Sequence, residues 1–158
     1  VREYVRLTQE LDARDTPVVL VLFGDHKPWM GNGGSVYEEM GIDFDTSTLA
    51  GFRNYYATPY LIWANRAAKE VLGADFTGDG GDFSPCFLMT RLFDACGWAG
   101  PGYMQLSRAM RDISPLLHTN GLFLHDGVLT SVLSDTDRSF YRSWLAVQYY
   151  REHVAAYS

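Results

Sequence analysis

The six residues VVLVLF (18–23) constrain the fold more than any other stretch of the chain. The run is continuous, apolar and rich in β-branched residues, with Pro17 before it and Gly24 after it. A strand on a half-solvated sheet alternates apolar and polar side chains. A run without alternation predicts a strand buried on both faces, inside a sheet covered by helices. The run stops abruptly at Gly24, Asp25 and His26, followed by Lys27, Pro28 and Trp29. In open α/β sheets, functional groups gather beyond the carboxyl ends of the strands. Gly24 lets the backbone turn there without a Cβ clash.

The rest of the chain fits that expectation. "YVRLTQELDARD" has Tyr4, Leu7 and Leu11 at helical spacing and predicts a surface helix of about 13 residues. "GNGGS" (31–35) and the polar run through Asp45 to Ser47 predict a loop, with a short helix at "VYEEMG". "YYATPYLIWAN" (55–65) predicts a second strand, with Pro59 placing it at an edge or a bulge. "GADFTGDGGDFS" (73–84) is turn-rich. Ser84 as N-cap and Pro85 at the first helical position open a predicted helix, "PCFLMTRLFDACG", closed by Gly97. "GYMQLSRAMRDI" (102–113) predicts another amphipathic helix. "NGLFLHDGVLTSVL" (120–133) predicts one or two short strands around a turn at Asp126-Gly127, and 137–154 a terminal helix with an aromatic stripe. Helices and strands interleave without repeats or linkers. The expected class is α/β, with residues 1–158 as one domain or part of one.

Composition narrows the function classes. The 158 residues are 47% hydrophobic and 15% aromatic, enough for a core and unlike a disordered chain. The net charge is −6, and no stretch gathers Lys and Arg into a stripe, which argues against nucleic-acid binding. No apolar run approaches the roughly 20 residues of a membrane helix. No basic, apolar leader stands at Val1, and the opening "VREYVRL" suggests a processed or excised piece. Cys86 and Cys96 fall in one predicted helix, about 15 Å apart, too far for a disulfide. They are expected as small core residues.

Of the candidate sites, Asp25-His26 is the most specific. A hard oxygen beside a borderline nitrogen suits Zn²⁺, Mn²⁺ or related ions. The competing reading is an Asp that caps the next turn and a surface His. The glycines of 31–34 lack the spacing and the Lys of a phosphate loop. "DFTGDG" (75–80) imitates the start of a calcium loop, but Cys86 stands where the bidentate Glu belongs, so an Asp/Gly turn is expected. His125-Asp126 lies in a turn, His153 near a helix end, and His118 alone; none is assigned to chemistry. Ser35, Ser84 and Ser107 have no nucleophile-elbow pattern around them.

Three motifs in order resemble one family. "VVLVLFGDHKPWMG" resembles the GDH-P segment of sulfatase-type proteins of the alkaline phosphatase superfamily, in the lipoteichoic acid synthase and phosphoglycerol transferase branch. "YYATPYLIWAN" is similar to the strand that follows in that branch. "FYRSWLAVQYYREH" resembles its closing segment, with Tyr150 in place of the usual Asp. The resemblance runs from about residue 1 to the end. It implies the C-terminal part of an alkaline-phosphatase-like sheet covered by helices, with short strands and a terminal helix.

It also implies a metal-dependent enzyme acting outside the cell from a membrane anchor, on phosphate or sulfate esters. Asp25 and His26 match the family's Asp-His metal ligands. The ion would be Mn²⁺ first, Ca²⁺ or Zn²⁺ otherwise, activating a Thr or Ser nucleophile. The family's nucleophile and first acidic ligand lie far upstream of this motif. Thr8 and Thr16 match no such site, so no catalytic residue is assigned within the chain. The expected partners are a missing N-terminal part of the catalytic domain and, for the soluble fragment, a second copy of itself. The alternative, from another class, is a non-catalytic module that self-associates.

Overall fold

The computed structural model describes residues 2–154. Helices and short strands interleave, and the chain divides into two compact units, residues 1–77 and 78–158.

The first unit begins with α1 (Arg2–Asp12), an amphipathic helix with no buried residue, as its periodicity predicts. β1 (Val19–Phe23) pairs antiparallel with β2 (Tyr60–Ala64), Val19 opposite Ala64 and Phe23 opposite Tyr60. Between them lie α2 (Ser35–Glu39) and α3 (Leu49–Tyr56), and α4 (Arg66–Leu72) follows β2. Among the described residues, these two strands form the whole sheet. The expectation of a strand buried on both faces is therefore corrected: Leu22 is 49% and Phe23 58% exposed. Among the described residues, only one flank of β1 has a partner strand.

The second predicted strand is also shorter than expected. Tyr55 and Tyr56 close α3, whose N-cap is Thr48, its Oγ1 accepting from the Gly51 amide at 3.0 Å. Pro59, unable to donate a ladder hydrogen bond, precedes β2.

One buried side chain organises this unit. Asn65 is fully buried, and its Oδ1 accepts from the amides of Val18 and Ala68, both at 2.9 Å. Its Nδ2 donates to the carbonyls of Leu11 (3.0 Å), Thr16 (2.9 Å) and Arg14 (3.3 Å). Asn65 thus caps α4 and holds the end of α1, the turn after it and the start of β1.

The second unit is a three-helix core with a hairpin. A 3-10 turn (Pro85–Phe87) leads into α5 (Leu88–Ala95), then α6 (Gly102–Ile113), β3 (Phe123–His125), β4 (Val128–Thr130) and α7 (Asp135–His153). Phe87, Met110 and Trp144 form the core, with Phe140 and Tyr141 packed against it. The predicted turn is present: Asp126 and Gly127 both have positive φ, the I′ geometry that suits a two-residue hairpin.

Two local expectations are corrected. Cys86 sits in the 3-10 turn and is exposed; Cys96 is buried; both are free. Ser84 stands at the N-cap position before Pro85, but its side chain makes no capping bond. Its Oγ accepts from the Leu117 amide at 2.8 Å and donates to the Leu117 carbonyl at 3.1 Å.

Asp94 on α5 takes Arg108 Nε at 2.5 Å and Arg111 at 2.7 Å, and Arg108 also donates to the carbonyls of Trp98 and Ala99. Burial pushes the Asp94 carboxyl up, but the hydrogen bonds and charges of Arg108 and Arg111 outweigh it and hold it below the usual carboxylate range.

Two outcomes are expected. Asn65→Ala leaves two buried amides without acceptors and costs about 3 kcal/mol in chemical denaturation. Asn65→Asp keeps the acceptors but turns a carboxylate toward three carbonyls. Its folded pKa is raised, so it regains stability as pH falls. Asp94 has the opposite sign. Its contribution is complete above the unfolded pKa of about 3.9 and is lost as pH falls through the depressed folded value. Asp94→Asn should cost about 1–2 kcal/mol near neutral pH and flatten the acid limb of the stability curve.

Candidate metal centre

The pair Asp25-His26 lies directly beyond the carboxyl end of β1, as the sequence predicts. Its placement depends on Gly24. The Gly24 amide donates to the Pro59 carbonyl at 2.9 Å, and Thr58 Oγ1 donates to the Gly24 carbonyl at 2.7 Å. A Cβ on Gly24 would meet Thr58 Cβ at 2.9 Å, so the close approach of the two segments requires glycine. The Gly-Asp-His and Thr-Pro segments, which the sequence separates, are therefore one structural unit.

The loop after the pair is fastened at three points. Lys27 Nζ donates to the carbonyls of Arg53 (3.4 Å) and Asn54, near the end of α3 where a cation also suits the helix dipole. Burial pushes the Lys27 ammonium below its usual range. Tyr37 OH donates to the Pro28 carbonyl at 2.6 Å. Trp29 meets Tyr55 edge-on at 6.4 Å, and Tyr55 packs against Phe44 at 5.4 Å. Phe44 in turn contacts Tyr37 at 4.9 Å. Aromatic pairs of this kind add about 0.5–1.5 kcal/mol each beyond area burial.

The pair itself faces solvent: the Asp25 side chain is 93% and the His26 side chain 78% exposed. His26 Nδ1 lies 3.1 Å from the Lys27 carbonyl. A carbonyl only accepts, so Nδ1 is the donor of this bond, and in the neutral ring Nε2 is then the nitrogen with the free lone pair. Such a bond from the remote ring nitrogen fixes the tautomer of a metal-ligating histidine. Nε2 lies 3.7 Å from Asp25 Oδ2. Two donors bound to one ion at about 2.0–2.2 Å are at most about 4.4 Å apart, so the 3.7 Å between them is within reach of one ion. Among the described residues, no group of three or more His, Cys, Asp or Glu side chains converges on a common point. Asp25 and His26 are two potential donors side by side.

The other candidates behave as ordinary structure. In the 75–81 turns, Asp75 accepts from the Thr77 amide and Asp79 from the Gly81 amide. His125 Nδ1 donates to the Ile113 carbonyl at 3.0 Å. That bond raises its pKa, burial opposes it, and Asp126 and Asp137 add to the rise. His153 reaches the Tyr149 carbonyl and stacks on the Tyr149 ring near the end of α7.

Sequence reasoning missed the positioning residues Thr58, Lys27, Tyr37 and Asn65. Asn65 carried a signal, an N-cap residue before "RAAKEVL". Thr58 carried none beyond its place before Pro59.

No protein-family model, curated protein or solved structure matches the chain. No helix among the described residues is long and apolar enough to cross a membrane.

Gly24→Ala is expected to force Thr58 away from β1 and to cost about 2 kcal/mol in denaturant melts. Thr58→Val, which removes one hydrogen bond and keeps the shape, should cost about 1 kcal/mol.

Proposed function

We propose that Asp25 and His26 are two ligands of a divalent-metal site in a sulfatase-type enzyme of the alkaline phosphatase superfamily, in its phosphoglycerol transferase branch. The observation that carries this reading is the position of the His26 ring. Its Nδ1 lies 3.1 Å from the Lys27 carbonyl and its Nε2 3.7 Å from the Asp25 carboxylate, at the end of a pinned strand. The contact between Gly24 and Thr58 supports it, because it joins the two segments on which the resemblance rests.

In this reading the remaining ligands and a Thr or Ser nucleophile come from outside residues 1–158, and the chain by itself is inactive. The strands found here are then part of a larger sheet. The bound ion, Mn²⁺ first and Ca²⁺ or Zn²⁺ otherwise, would supply Lewis acidity toward a phosphate or sulfate ester. The residues of this chain hold the ligands: Gly24, Thr58 and Pro59 set their position, and Lys27 and Tyr37 hold the loop behind them. The intact enzyme would work outside the cell from a membrane anchor, with the ester's headgroup as donor.

Titration with Mn²⁺, followed by paramagnetic broadening of backbone amides, tests the assignment. Weak, millimolar binding centred on residues 24–27 and lost in Asp25→Ala is expected. Broadening spread evenly over the acidic surface would remove the ligand assignment. Micromolar affinity would show a complete shell within this chain and would contradict the partial-site reading.

A further inference from the structure

The end of α6 carries an inference independent of the metal reading. Ile113 is the last residue of that helix, so its carbonyl is one of those a helix leaves without a partner in its own ladder. His125, the last residue of β3, fills the place from another element: its Nδ1 lies 3.0 Å from the Ile113 carbonyl. The His125 side chain is 33% exposed. Its Nε2 lies 3.6 Å from Asp126 Oδ2, too long for a hydrogen bond and within ion-pair range. The hairpin meets the same region through the Leu124 amide, which donates to the buried Ser114 hydroxyl at 3.1 Å.

The two protonation states of the His125 ring are not equivalent here. A carbonyl only accepts, so Nδ1 is the donor of the Ile113 bond. In the neutral ring Nε2 then presents a lone pair to the Asp126 carboxylate, acceptor against acceptor. In the imidazolium both nitrogens are donors: Nδ1 keeps Ile113, and Nε2–H faces an opposite charge. A cation also suits the negative end of the α6 dipole. Two carboxylates face the ring, Asp126 in the turn and Asp137 in the first turn of α7, and both favour the cation. The other charged and titratable groups of these elements are engaged elsewhere. Asp112 on α6 has Arg111 at 3.9 Å, and Arg138 on α7 donates to the Leu133 carbonyl at 3.4 Å. His118, in the segment beside β3, accepts from the Asn120 amide at 3.2 Å.

We propose that His125 is a proton-operated clasp that fastens the β3–β4 hairpin to the end of α6, closed when the ring is charged and loosened when it is neutral. The hairpin depends on such fastening, because its strands have three residues each and a two-stranded sheet is marginal alone. The direction follows from linkage. The bond to Ile113 and the two carboxylates raise the folded pKa of His125 against the opposing effect of burial. The clasp's contribution is therefore complete below the unfolded histidine value of about 6.5 and is lost as pH rises through the raised folded value.

Proton NMR of the histidine rings of the full chain, with amide exchange from about pH 5.5 to 8.5, tests the proposal. The His125 ring is expected to titrate above about 6.5, and the Leu124 amide, which reads the docking bond, to lose about threefold or more of its protection across that range. His125→Asn keeps an N–H donor for Ile113 but cannot be charged, so it should hold Leu124 at the lower protection at every pH. Asp126→Asn removes the carboxylate and keeps a residue that tolerates the positive φ of this turn. It should lower the His125 titration and shrink the step. A His125 titration at or below about 6.5 would overturn the proposal. So would a protection step at Leu124 that survives in His125→Asn, or one that is absent from the unaltered chain.

Discussion

The side chain of Asn65 is the interaction on which the first unit depends. It is fully buried, and every polar atom it carries has a partner. The Leu11 and Thr16 bonds fasten the end of α1 and the turn after it, beside the bonds that Arg66 makes to Asp12 and Asp15. Without the Val18 and Ala68 bonds, β1 and α4 would start with orphan amides. A buried amide is costly unless satisfied, and a satisfied one selects a single arrangement of its neighbours. Here it sets the start of the ladder whose other end presents Asp25 and His26. At that end Gly24 and Thr58 play the corresponding part.

The two units are stabilised by different means. In the first, a polar hub and an aromatic chain from Trp29 through Tyr55 and Phe44 to Tyr37 bind loops together. In the second, an apolar centre of Phe87, Met110 and Trp144 is bordered by polar locks. Trp144 Nε1 donates to the buried Ser107 hydroxyl at 3.1 Å, and Asp94 gathers two arginines. Arg108 spans from that carboxylate to the loop between α5 and α6, so one residue holds both helices and their connection.

Elements with strong periodicity were legible in the sequence. α6 has the bounds 102–113 that its apolar spacing predicts, and the Asp126-Gly127 turn follows from backbone chemistry alone. The strand ends were less legible. "YYATPYLIWAN" is apolar throughout, and apolarity does not separate the helical Tyr55-Tyr56 from the extended Tyr60–Ala64; the Thr48 cap and Pro59 do. The uninterrupted VVLVLF suggested burial on both faces, yet composition records what a strand can bury rather than what packs against it. For the candidate site, Asp25 and His26 were legible from their place after a strand. Thr58, Lys27 and Tyr37 were not, because each acts through a contact distant in sequence: Thr58 on Gly24, Lys27 on Asn54, Tyr37 on Pro28.

An exposed Asp-His pair is held in place mostly from behind, by bonds of its neighbours, with one bond from the His26 ring itself to the Lys27 carbonyl. Exposure favours motion, and the fastening at Gly24, Lys27, Pro28 and Trp29 opposes it. Backbone nitrogen relaxation of residues 24–30 measures the balance directly. Order parameters near those of β1, about 0.85, are predicted for Asp25 and His26. Values below about 0.6 would mean a freely moving loop and would contradict a preformed half-shell at the end of the strand.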